Sequence, residues 1–68
     1  MLKAGDLVEI VNVDGIMFAG KYLRNGDIVR LGSDEDGDLT LDSAEEEGYG
    51  KGLTLIPSEY MYVRKVGE

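Results

Sequence analysis

Pro57 is the only proline in the chain, and it divides the last third into two short apolar runs. Proline donates no backbone hydrogen bond, so a strand does not run through it. Ile56, the residue before it, is pushed to extended backbone by the same ring. Gly52 to Val63 therefore reads as a strand carrying Leu53 and Leu55, a 3₁₀ turn at Ser58-Glu59-Tyr60, and a second strand. A chain that closes this way returns an apolar strand to a sheet already made, which points to an all-β fold.

Size narrows the choice further. A domain of 68 residues buries only about 60% of the surface that its unfolded chain exposes. There is no Cys to staple it and no His for a structural zinc site. The fold must rest on an apolar core, on strand ladders or on a partner subunit. A small closed barrel suits such a chain, because one curled sheet wraps its own core and leaves few edges. One domain over residues 1–68 is expected.

Turn signals cut the rest of the chain into short strands. There are ten glycines and no apolar 3.6-residue period long enough for a helix. Leu7 to Val13 is rich in β-branched residues and reads as the first strand. Asp14-Gly15 follows as a hairpin-type turn. Ile16 to Leu23 reads as the second strand, with Ile16, Phe18 and Tyr22 on one face and Gly20 as a bulge or bend. After the Asn25-Gly26 turn, Asp27 to Leu31 makes a strand whose inward pair is Val29 and Leu31. A polar turn from Gly32 to Gly37 leads to Asp38-Leu39-Thr40-Leu41-Asp42. There the alternation sends Leu39 and Leu41 to the core and Asp38, Thr40 and Asp42 to water. Ser43 to Gly52 is acidic and glycine-rich and reads as a loop, with a helix N-cap signal at Ser43.

Leu55-Ile56-Pro57-Ser58-Glu59-Tyr60-Met61-Tyr62-Val63 resembles the strand, 3₁₀ turn and closing strand of SH3 domains. Lys3-Ala4-Gly5-Asp6-Leu7-Val8-Glu9-Ile10 is similar to the first strand of many SH3-like barrels, including those of small phage-encoded proteins. Gly26-Asp27-Ile28-Val29-Arg30-Leu31 and Asp36-Gly37-Asp38-Leu39-Thr40-Leu41 repeat that phrasing. The resemblance implies a five- or six-stranded SH3-like barrel with a 3₁₀ turn near Pro57–Tyr60. Of the aromatic floor on which SH3 domains seat polyproline helices, only Pro57 and Tyr60 have counterparts; the chain has no Trp. A second resemblance runs from Val8-Glu9-Ile10 through Asp14-Gly15-Ile16-Met17-Phe18-Ala19-Gly20, which is similar to the first Sm motif. Ile56-Pro57-Ser58 stands where the second Sm motif turns. That reading implies a ring held through strand edges and bound to RNA or DNA, although the family's N-terminal helix and RNA-contacting Asn are missing.

Charge decides which partners are in reach. Fourteen acidic residues face seven basic ones, for a net charge of −7, which disfavours phosphate backbones and anionic membrane surfaces and favours a basic protein surface. Eight of the acidic residues are Asp34, Glu35, Asp36, Asp38, Asp42, Glu45, Glu46 and Glu47, in a stretch without Lys or Arg. As an EF-hand loop the segment fails, since Gly32 would fill the first ligand position and Ser43 the last. What remains is a docking face, centred on Asp34, Glu35, Asp36, Asp38, Glu45, Glu46 and Glu47, or a solvated loop. A DNA mimic with spaced carboxylates is a weaker reading of the same residues. Lys21, Tyr22, Arg24 and Arg30 are the candidate nucleic-acid contacts, by stacking and charge, if neighbouring strands gather them; scattered surface charge is the plainer account. Pro57, Tyr60 and Tyr62, with Tyr49, form a candidate aromatic patch, and Tyr60 also reads as core or rim. Met1, Met17 and Met61 read as packing.

Enzymatic chemistry is not expected. Ser33, Ser43 and Ser58 have no evident base, and a barrel this small fills its interior with side chains. Neither a cofactor nor a metal is expected. The N-terminus shows no secretion signal, and no apolar run reaches membrane-spanning length. With zero Cys, the expected location is cytoplasmic, in a bacterial host if the chain is phage-derived. The expected function is a non-catalytic binding module, a phage or prophage accessory protein that docks on a protein partner through its acidic face. The alternative is the Sm-like ring. Oligomeric state stays open between monomer and ring.

Overall fold

Alternating side chains build the first strand. In Leu7–Ile10 (β1), Val8 and Ile10 are wholly buried while Leu7 and Glu9 are half-buried. The computed structural model describes residues 1–42 and 52–67. Within them the remaining strands are Ile28–Ser33 (β2), Leu39–Asp42 (β3), Leu53–Leu55 (β4) and Val63–Lys65 (β5). All pair antiparallel in one sheet of order β4-β3-β2-β1-β5. Three successive pairings make a meander, and β5 then returns to the free side of β1. The six-residue 3₁₀ helix Pro57–Tyr62 carries the chain there.

The all-β reading holds, and so do the inward pairs Val29 with Leu31 and Leu39 with Leu41. The closed barrel does not form. Among the described residues β4 and β5 remain the two edges of the sheet, with no ladder between them. Each is only three residues long, and the 3₁₀ helix occupies the passage from one to the other. The core lies on one face of the sheet, where Val8, Ile10, Leu31, Leu41 and Leu55 meet Ile16, Ala19 and Leu23.

Those last three residues belong to a segment that departs from expectation. Ile16 to Leu23 is not a strand. It belongs to a folded loop between β1 and β2 that has 3₁₀ turns at Val13–Gly15 and Ala19–Lys21. Local chemistry explains why. The Asn12 side chain accepts from the Asp14 N–H at 3.2 Å, and Asn25 Oδ1 accepts from the Val13 N–H at 2.7 Å. Both bonds curl the backbone that β1 would need in order to continue past Ile10. Phe18 then has φ 67°, a left-handed conformation that ends any extended run. The buried residues are Ile16, Ala19 and Leu23, spaced by three and four as in helical turns rather than by two. Phe18 and Tyr22, expected beside Ile16 on one face, are exposed instead. Gly20 sits in the second 3₁₀ turn, not in a bulge.

Thr40 also departs from the simple alternation: it is buried although its neighbours Leu39 and Leu41 fill the core side. Its hydroxyl donates to Asp42 Oδ1 at 3.0 Å. Both side chains fold over Gly32 in β2, where a Cβ would collide with Asp42 Oδ2. A glycine on one strand thus lets polar side chains on the next lie flat against the sheet. No helix among the described residues is long and apolar enough to cross a membrane.

Candidate functional site

The Asp34–Asp38 turn joins β2 to β3 and is held by its own first residue. Asp34 Oδ1 accepts from the N–H groups of Asp36 and Asp38, each at 2.9 Å. The Asp34 N–H donates to the Asp38 carbonyl at 2.9 Å, and the Gly37 N–H to the Asp34 carbonyl at 3.1 Å. Gly37 supplies the positive φ of 87° that closes the loop. One carboxylate oxygen from each of Asp34, Asp36 and Asp38 lies within 4.8 Å of the others. Asp36, Asp38 and Glu35 are exposed and Asp34 is half-buried. Glu45, Glu46 and Glu47, the rest of the expected acidic face, lie outside the described residues, as do Tyr49 and the Ser43 cap signal.

The basic candidates do not share neighbouring strands. Lys21 and Tyr22 end the second 3₁₀ turn, and Arg24 begins the Asn25-Gly26 turn, where its N–H donates to Asp27 Oδ2 at 2.8 Å. Arg30 lies on β2 and donates from a guanidinium nitrogen to the Gly5 carbonyl at 3.0 Å. The strand expected to align them is the one that becomes a loop. Lys21 instead extends toward Phe18, with its Nζ 6.0 Å from the ring centroid.

The aromatic candidates divide as well. Pro57 is exposed, while Tyr60 and Tyr62 pack against the core from the 3₁₀ helix. The Tyr62 ring covers Gly15 so closely that a Cβ there would lie 2.6 Å from it. The methionines do not pack as expected. Met1, Met17 and Met61 are all exposed; Met17 lies in the β1–β2 loop and Met61 in the 3₁₀ helix, where strand alternation does not apply.

Two features escaped the sequence reading. One is Glu59, a carboxylate only 7% exposed. Its Oε2 accepts from the Met17 N–H at 3.0 Å and its Oε1 from the Ile56 N–H at 3.2 Å. The second bond is the acidic half of a capping box, with Glu three residues after the helix N-cap. That spacing was visible in the sequence; the tie to Met17, 42 residues away, was not. The other feature is a groove of about 270 Å³. It is lined by Met17 and Phe18 of the β1–β2 loop, by Gly52, Leu53, Thr54 and Ile56 of the β4 segment, and by Glu59. Phe18, Met17 and Ile56 are 63%, 64% and 44% exposed at its rim. Glu59 ties the loop to the β4 segment, since it bonds Met17 of the one and Ile56 of the other.

No protein-family model, curated protein or solved structure matches the chain. The geometry alone therefore bears on function.

Proposed function

We propose that this protein is a non-catalytic docking module that engages a basic surface of a protein partner through its acidic face. The observation that carries the reading is the Asp34–Asp38 turn. Three carboxylates come within 4.8 Å of one another on a turn whose backbone the Asp34 side chain holds, and no Lys or Arg among the described residues is paired with them. Like charges this close repel, and a cationic surface relieves that repulsion on contact. Preorganisation by Asp34 lowers the ordering cost of binding.

An SH3-like arrangement accords with this role. The strand order β4-β3-β2-β1-β5, with a 3₁₀ helix between β4 and β5 and a long loop between β1 and β2, supports it. A small module of phage or prophage origin, working in a bacterial cytoplasm, is the setting we infer from the resemblance. The Sm-like ring is the competing reading, and the two open edges of the sheet are what favour it.

Affinity capture from the native host tests the docking reading. The unmodified chain should retain a partner that the Asp36→Asn/Asp38→Asn variant releases. Equal capture by both removes the acidic face from the function. Sedimentation of a monomer at micromolar concentration excludes the ring, and absence of a mobility shift with single-stranded oligonucleotides at low salt excludes nucleic acid.

A further inference from the structure

The groove beside β4 has three properties that bear on what fills it. It is apolar at the rim, with Met17, Phe18 and Ile56 turned outward. Phe18 is held there by a left-handed backbone, which costs a non-glycine residue about 1 kcal/mol or more; strain of this kind gathers at functional positions. The groove also runs along β4, which has no further strand beyond it among the described residues. Finally, it adjoins the acidic turn. Leu39 pairs with Leu55, so Asp38, one residue before Leu39, and Ile56, one residue after Leu55, stand at the same end of the β3–β4 pair.

Resting on the docking reading above, we propose that the groove receives an extended segment of the partner protein, with one apolar side chain between Phe18 and Ile56 and a Lys or Arg two residues along reaching the Asp36 and Asp38 carboxylates. The volume of about 270 Å³ lies just below the range of small-molecule sites, about 300–1,000 Å³, and suits a side chain or two. An extended backbone brings alternate side chains to one face about 7 Å apart, so the apolar and basic groups point the same way. An open sheet edge is the usual acceptor for such a strand. Charge selects the partner: a net charge of −7 and the adjoining carboxylates reject an acidic segment and attract a basic one. Glu59 is not the counter-ion, because both of its oxygens already accept backbone bonds.

The test is an NMR titration of the isotope-labelled full chain with three blocked hexapeptides. The first is Thr-Leu-Thr-Lys-Thr-Lys, the second has both Lys replaced by Glu, and the third has Leu replaced by Ser. The first peptide should shift the amides of Met17, Phe18, Thr54 and Ile56 in a saturable way, and the other two should not. Phe18→Ala, at an exposed position, should abolish the shifts while the rest of the spectrum stays folded. Asp36→Asn/Asp38→Asn should weaken binding about fivefold to tenfold at low salt. Shifts confined to the acidic turn, or equal for all three peptides, overturn the proposal. So do concentration-dependent shifts of the same amides without peptide, which assign the groove to a second copy. Contacts from the Phe18 ring to another segment of the same chain, seen in the free protein, also overturn it. If host capture depends on Asp36 and Asp38 while the groove amides stay still, the docking reading stands and this inference falls.

Discussion

Phe18 and Glu59 show how single residues set the loop that faces β4. At φ 67°, Phe18 is in a region where glycine normally has the advantage. The usual ranking of Ala above Gly should therefore invert there. Phe18→Gly is expected to be about 1 kcal/mol more stable than Phe18→Ala, because both lose the ring and only Ala keeps the Cβ clash; urea midpoints of the two variants measure it. Glu59 makes the opposite case, a charged residue kept because two amides depend on it. Glu59→Ala leaves two part-buried N–H groups without their acceptor and should cost about 1–3 kcal/mol. Glu59→Gln retains one carbonyl oxygen and should cost roughly half as much, again read from denaturant unfolding. Neither role follows from residue type. Phe in a run of Ile, Met and Ala looks like core, and Glu in a turn looks like surface.

Among elements, the segment between β1 and β2 separates two glycines that look alike in sequence. Gly15 lies under the Tyr62 ring, with a Cβ 2.6 Å from the nearest ring carbons, whereas a Cβ on Gly20 meets nothing within 4 Å. Gly15→Ala must displace an aromatic ring of the 3₁₀ helix and should lose about 1–3 kcal/mol. Gly20→Ala restricts the unfolded chain without a clash and should gain about 0.4–1 kcal/mol. Thermal unfolding of the two variants should therefore move in opposite directions. Equal shifts would mean that the Val13–Gly15 turn does not pack on the Pro57–Tyr62 helix. The 3₁₀ helix itself was legible, since Pro57 stops β4 and holds Ile56 extended. The loop was not, because Ile16, Met17, Phe18 and Ala19 satisfy a strand pattern by composition. Only the buried spacing of Ile16, Ala19 and Leu23 gives it away.

Across the molecule as a whole, excess negative charge acts on stability as well as on partner choice. With 14 acidic and 7 basic side chains, the compact state repels itself and should gain stability as salt is added at low ionic strength. Asp36→Asn/Asp38→Asn removes two of the crowded carboxylates but leaves the Asp34 acceptor that shapes the turn. That variant should unfold at the same or slightly higher urea concentration than the parent in low salt, and should show a weaker salt response. A clear loss of stability would mean that these carboxylates serve the fold rather than a partner. The ion pairs Arg64–Glu9 and Lys65–Asp6 tie β5 to β1 and the segment before it. Of the two, Arg64–Glu9 is the more exposed and contributes little.

Local sequence accounts for the all-β class, the inward pairs of β2 and β3, the turns at Asn25-Gly26 and Asp34–Gly37, and the 3₁₀ break after Pro57. All of these depend on residues close together in the chain, where proline and glycine geometry and two-residue alternation act directly. Tertiary contacts settled the rest. The return of β5 to β1, the open edges at β4 and β5, the long-range anchoring of Met17 by Glu59 and the groove between Phe18 and Ile56 all join residues far apart in sequence. Local preference is degenerate at those positions, and the outcome depends on which distant side chain arrives to cover, cap or crowd each one.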